Sequence, residues 1–233
     1  MKIIKHIPNF LTCCNLFSGF MGIIFVANYD LVGAAVMIWV AAGFDFLDGF
    51  AARLLNAQSP IGKDLDSLAD AVTFGVLPAF IMFTLLDKVA LYDHVALVAG
   101  LIAVASVVRL AKFNHDERQS DRFIGLPTPA NALLISGLPF LMEQSTWWRS
   151  YLERPDVLVF LILSLSYLLL AQLPLIALKF KSFALKPNIF RYLLIVLSIG
   201  LGVIGGVAAL PAIILLYLVL SMIENIVSKN KAV

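Results

Sequence analysis

The sequence predicts an all-α integral membrane protein with about eight transmembrane helices. Three observations carry that expectation. Of 233 residues, 61% are hydrophobic and only 14% are charged, and the mean hydropathy is +0.95. Water-soluble domains carry about 25% charged residues, so this chain lacks the polar surface to cover a globule facing water. The apolar residues fall in continuous runs near the 20-residue length that a helix needs to cross a bilayer core. Those runs do not alternate apolar with polar residues, which argues against a barrel.

The runs lie near 9–28, 31–53, 67–86, 91–112, 129–146, 156–178, 190–208 and 210–227. Gly205-Gly206 and Leu210-Pro211 mark a short turn between the last two. The first run has no small-residue cleavage site and further spans follow at once, so it reads as a span rather than a leader. The longest polar stretch, roughly 115–129, is too short for a separate soluble domain, so residues 1–233 read as one transmembrane domain. No internal repeat is evident. Only the second helix carries a dense polar insertion, unlike the paired broken helices of inverted-repeat carriers.

Loop charge sets the expected orientation. With the N-terminus in the cytoplasm, every one of the 17 basic residues except Lys88, Arg149 and Arg154 falls on the inner side, the bias that fixes topology. Both termini are then cytoplasmic in an inner membrane, and Trp147 and Trp148 lie at the outer interface, where indole rings prefer to sit. The net charge of +2 is scattered, so no nucleic-acid partner is expected. Cys13 and Cys14 are adjacent in an apolar run, with no CxxC spacing, and read as small apolar residues.

The informative stretch is FDFLDGFAARLLNAQSPIGKDLDSLADA, residues 44–71. Asp45 and Asp48 are three apart and share a face near the inner end of the second span. Asp66 and Asp70 are four apart and share a face at the inner start of the third. The connector 56–60, Asn-Ala-Gln-Ser-Pro, is rich in turn formers and lets the two helices run antiparallel. Four carboxylates can then converge at the cytoplasmic edge of the membrane. So many like charges in a low dielectric must take up protons or bind cations. Oxygen ligands without Cys or His favour Mg²⁺, Mn²⁺ or Ca²⁺ over zinc, and the first two commonly bridge carboxylates to phosphate. Asp45 and Asp48 sit among Phe44, Phe46, Leu47 and Phe50, where ionisable residues are costly and usually functional. Gly49, Ala52 and Gly62 are small enough to admit a ligand or second helix close to the backbone, and Arg53 suits a phosphate oxygen.

With its spacing, the stretch reads Asp45-x₂-Asp48-Gly49-x₂-Ala52-Arg53-x₈-Gly62-x₃-Asp66-x₃-Asp70. It resembles the complete signature of the CDP-alcohol phosphatidyltransferase family, with every position matched. The resemblance implies a helical membrane fold in which the aspartates hold two divalent cations, Mg²⁺ or Mn²⁺, against the diphosphate of a CDP-linked lipid such as CDP-diacylglycerol. Asp45, Asp48 and Asp66 would be ligands, and Asp70 a ligand, the general base, or both. Gly49, Ala52, Arg53 and Gly62 would line the cytidine and phosphate pocket. Asn15, polar in the first span, would face the nucleotide or bond a neighbouring helix. Related small membrane enzymes often pair, so a homodimer is expected.

The acceptor is read from two further stretches. The opening His6-Ile-Pro8-Asn9-Phe-Leu-Thr12-Cys-Cys-Asn15-Leu-Phe-Ser18-Gly19 and the run Arg109-Leu-Ala-Lys112-Phe113-Asn114, followed by Phe123-Ile-Gly125-Leu126-Pro127-Thr128-Pro129, resemble the membrane-embedded phosphatidylserine synthase branch. Glycine and two prolines at fixed offsets describe one loop shape. The resemblance implies L-serine as acceptor. Serine brings a carboxylate and an ammonium: Arg109 and Lys112, one turn apart, would grip the first, and Asn114 would accept from the second. Arg118 and Arg122 either assist or meet anionic membrane lipid. Glycerol 3-phosphate and inositol phosphate are rival acceptors within the family. An ion-coupled carrier is the rival outside it, but needs its polar groups near the midplane rather than at one edge.

Overall fold

The computed structural model describes residues 6–115, 123–177, 184–185 and 188–229, and Arg118 and Arg122 lie outside them. Helix α1 (Ile7–Ala27) opens with Pro8 in its first turn, where the missing N–H costs nothing. A tight turn leads to α2 (Leu31–Leu54), capped by the Asp30 carboxylate accepting from the Gly33 N–H at 2.7 Å. Ser59 caps α3 (Pro60–Asp70), accepting from the Gly62 N–H at 3.0 Å with Pro60 behind it. The third helix thus begins at Pro60, about two turns before the apolar run that betrays its span. It continues through a π-helical segment, Ala71–Val76, into α4 (Leu77–Asp87).

A 3₁₀ turn, Asp93–Ala99, leads into α5 (Gly100–His115). Then come α6 (Thr128–Gln144), the short α7 (Thr146–Leu152), α8 (Pro155–Leu170), α9 (Ile189–Gly205) and α10 (Leu210–Lys229). Among the described residues, five helical stretches are long and apolar enough to cross a membrane: Ile7–Ala27, Leu31–Leu54, Pro60–Asp87, His94–His115 and Ile189–Val227. The last turns at Gly206 and folds back as α9 and α10. Leu194 and Leu220, on opposite sides of that turn, meet in one buried cluster with Ile176. Helices α6 and α8, of 17 and 16 residues, lie at the fifth and sixth expected runs, α8 as a shorter apolar helix.

The sixth span departs from expectation. Helix was expected to residue 178, but α8 stops at Leu170 and the chain becomes extended, with β2 (Pro174–Leu175) pairing antiparallel to β1 (Phe123–Ile124). Pro174 disfavours helix at the residue before it. The Gly-Pro loop supplies the other reason, because it caps the end of α8. The Leu126 N–H donates to the Leu168 carbonyl at 2.9 Å and the Gly125 N–H to the Leu173 carbonyl at 2.8 Å. Gly125 has φ +75°, and a β-carbon there would press on the Leu169 and Ala171 carbonyls, so only glycine fits.

The core runs through the middle of the bundle, where Ile38, Phe74, Leu77, Ile81, Met82, Ile102, Ile135 and Ile162 are fully buried. Helix α1 lies so close to the π segment that a β-carbon on Gly19 would come within 2.7 Å of Thr73 Oγ1. Small residues permit such approach between membrane helices. The outside is apolar as well, with Val203 and Ile204 81% and 87% exposed, the surface expected of a chain whose solvent is lipid. On α7, Trp147 stacks on Tyr151 and Trp148 meets both edge-on, at the end of α6 away from Thr128.

Candidate active site

Helix α2 ends, and α3 begins, at the same end of the bundle, which brings the two halves of the aspartate motif together. Carboxylate oxygens of Asp45, Asp48 and Asp66 lie within 4.8 Å of one another. Asp66 Oδ1 is buried and has no hydrogen-bond partner. Three hard oxygen ligands without Cys or His, one of them buried and unsatisfied, fit a divalent cation of the Mg²⁺, Mn²⁺ or Ca²⁺ kind. The group could therefore hold a metal ion.

Asp70 stands beside this trio, with Asp45 and Asp66 as its charged neighbours. It is buried, and Oδ1 accepts from Asn15 Nδ2 at 3.1 Å. The π segment starts directly after it, a local irregularity frequent at functional sites. Helix α1 serves both halves of the motif. Thr12 Oγ1 donates to Asp48 Oδ2 at 2.7 Å, and Thr12 lies one turn before Asn15 on the same face.

A cavity of about 550 Å³ opens beside the carboxylates, in the range that holds a small ligand. Its walls are Pro8, Asn9 and Thr12 of α1, Asp48, Gly49 and Ala52 of α2, the connector Ala57, Gln58 and Ser59, and Pro60, Gly62, Lys63 and Asp66 of α3.

The sequence-derived candidates distribute as follows. Gly49, Ala52 and Gly62 line the cavity. Arg53 is not among its walls: its Nε donates to the Gly49 carbonyl at 2.9 Å and the side chain is exposed. Asn15 likewise faces Asp70 rather than the cavity. Arg109 is buried, its Nη1 donating to Thr128 Oγ1 at 3.2 Å and its guanidinium 5.6 Å from the Phe113 ring centre. Lys112, one turn on, is exposed, so the two do not form one grip. Asn114 ties α5 to α3, donating from Nδ2 to Ser67 Oγ at 2.7 Å while its carbonyl accepts from Lys63 Nζ at 3.0 Å.

Sequence reasoning missed Thr12, Asn9, Gln58, Ser59 and Lys63. The signal for Thr12 was present: Asn9, Thr12, Asn15 and Ser18 repeat at three-residue spacing in an otherwise apolar span. Outer-shell partners of metal ligands typically carry 10- to 100-fold of the metal affinity. Thr12→Val keeps the shape and deletes the hydroxyl. It is expected to raise the half-saturating metal concentration by about that factor, measured by titrating the metal-depleted protein.

The comparisons with known proteins agree with this geometry. The model of the family described as CDP-alcohol phosphatidyltransferase matches residues 5–229. A Mycobacterium tuberculosis protein named CDP-diacylglycerol--serine O-phosphatidyltransferase is 34% identical over 206 residues, 84% of this chain and 69% of the relative. Proteins of the same name are 29% identical over 237 residues in Helicobacter pylori, covering 97% of this chain and 96% of the relative, and 34% identical over 156 residues in Bacillus subtilis, covering 64% and 86%. A match along almost the entire length, with the three converging carboxylates inside it, leaves one assignment: the chain belongs to the CDP-alcohol phosphatidyltransferase family.

Proposed function

We propose that this chain transfers the phosphatidyl group of CDP-diacylglycerol to L-serine, forming phosphatidylserine and CMP. The observation that carries the proposal is the meeting of Asp45, Asp48 and Asp66, the last two in the wall of a cavity about 550 Å³ in volume, with Asp70 alongside. The relatives' names supply the substrate pair.

Asp45, Asp48 and Asp66, which could hold a metal ion, would together with Asp70 hold two divalent cations, Mg²⁺ or Mn²⁺. When bound they neutralise the diphosphate and the charge that develops on the departing CMP. The rest falls to the chain. Gly49, Ala52 and Gly62 admit the nucleotide, and Lys63, on the same wall, offers a cation to phosphate oxygens. The serine hydroxyl oxygen attacks the phosphorus that bears diacylglycerol. A new P–O bond forms, the P–O bond to CMP breaks with its electron pair leaving on CMP, and the hydroxyl proton passes to Asp70. No covalent enzyme intermediate is needed. The concentration of basic residues in the loops at this end of the bundle supports a cytoplasmic orientation for it.

Arg109, buried within the field of Asp70, holds the serine carboxylate. Arg109→Ala is expected to raise the KM for serine by about 10- to 100-fold, the range of a charged hydrogen bond. The KM for CDP-diacylglycerol should stay unchanged, and both are read in initial-rate assays. The function itself is tested by incubating purified protein with CDP-diacylglycerol, metal and radiolabelled serine. Label should pass into the organic phase as phosphatidylserine. Label that stays aqueous while glycerol 3-phosphate or inositol phosphate enters lipid would reassign the acceptor.

A further inference from the structure

On the α5 and α6 side of Asp70, several buried polar groups have no hydrogen-bond partner. They are Arg109 Nε, Ser106 Oγ, and both side-chain heteroatoms of Asn131. Arg109 is 6% exposed, and Ser106 and Asn131 are wholly buried. Folded proteins leave few buried polar groups unsatisfied, and a concentration of them in one place calls for a ligand or water.

Helix register places these groups together. Ser106 and Arg109 are three apart on α5, and Thr128 and Asn131 three apart on α6, so each pair shares a face. The contact between Arg109 Nη1 and Thr128 Oγ1 at 3.2 Å joins the two faces. Asn131 therefore lies one turn deeper than Thr128. The π segment forms a third wall, with Gly75 against Ser106. Asp70 and Tyr217 are the ionisable neighbours of Arg109.

Arginine only donates hydrogen bonds, so Arg109 cannot tell an amino acid from any other anionic alcohol. A glycerol phosphate would suit it as well. A carboxamide both donates and accepts. We infer that Asn131 is the specificity-determining residue for an amino-acid acceptor: its Oδ1 takes a hydrogen bond from the ammonium, and its Nδ2 donates to the carboxylate that Arg109 grips. This rests on the reading above that the acceptor is serine. An acceptor without an amine leaves Asn131 Oδ1 unpaired, and sites built around a substrate hydrogen bond discriminate strongly against analogues that lack it.

The test compares serine with 3-hydroxypropionate, which is serine without its ammonium, used as a competitor of serine-dependent CMP release. Asn131→Leu keeps the volume and deletes both hydrogen-bonding atoms. It should raise the KM for serine by about 100-fold or more, because two charge-assisted hydrogen bonds of about 10-fold or more each are lost. The inhibition constant of 3-hydroxypropionate, which loses only the charge-assisted bond to its carboxylate, should rise by a factor at least about 10-fold smaller than the KM for serine, and the KM for CDP-diacylglycerol should not move. An unchanged serine KM, or equal weakening of serine and 3-hydroxypropionate, overturns the assignment. If Asn131→Leu does not purify as a folded protein, Asn131→Ala is read in the same way, and loss of the fold in both also overturns it. A wild-type protein that uses no amino acid at all would instead refute the acceptor reading, a result visible before any variant is made.

Discussion

Asp70→Asn is expected to lower kcat by about 10³-fold or more, near 4 kcal/mol in the barrier. The substitution keeps the size of the side chain and leaves an oxygen able to accept from Asn15, whose Nδ2 now holds Asp70 at 3.1 Å. What it removes is the negative charge and the ability to take a proton. A carboxamide can neither accept the serine hydroxyl proton nor offer an anionic ligand. Because Asp70 is not among the walls of the nucleotide-sized cavity, the KM for CDP-diacylglycerol should change little. The diagnostic pattern is therefore a collapse of kcat in a protein that still binds its lipid substrate. Near-normal turnover would remove Asp70 from the chemistry.

Asp66→Asn should act on the metal rather than on the proton. Its Oδ1 is buried without a partner, and its carboxylate is one of three gathered within 4.8 Å. An amide NH₂ turned into that space cannot coordinate a cation. The half-saturating metal concentration should rise by more than the roughly 100-fold upper range of an outer-shell change, with activity falling in step at fixed metal. The same variant should gain stability when metal is chelated, because one of three mutually repelling charges is gone. Wild-type protein should show a Tm that climbs as Mn²⁺ or Mg²⁺ is added, and Asp66→Asn a higher starting Tm with a much smaller climb. A variant with the wild-type metal response would take Asp66 out of the ligand set.

These expectations rest on features of differing legibility. The membrane class and the helical segments follow from run length alone, since nothing but helix satisfies the backbone of a continuous apolar run. The carboxylate meeting was legible too. Spacings of three and four fix which residues share a face, and the turn-forming 56–60 connector brings the two faces to one end. Spacing does not give the rotation of a helix about its axis, however. That rotation separates the tight trio from Asp70, buries Arg109 and leaves Lys112 exposed. It also turns Asn15 to Asp70 and sends Arg53 back to its own helix backbone. The support that Thr12 gives Asp48 crosses 36 residues of sequence, and no local pattern encodes such a pairing. Residues 171–177 read as helix because apolarity persists through them. The structure departs there because Pro174 has no N–H to offer a helix and the Gly125 loop takes the Leu168 and Leu173 carbonyls.

The most direct test of the central claim is CMP release from CDP-diacylglycerol by the detergent-purified protein, with acceptors added singly in the presence of Mn²⁺ or Mg²⁺. The account predicts release that requires serine, stops with chelator and resumes when the metal is restored. Release that persists in chelator, or that responds to glycerol 3-phosphate or inositol phosphate but not to serine, would contradict it.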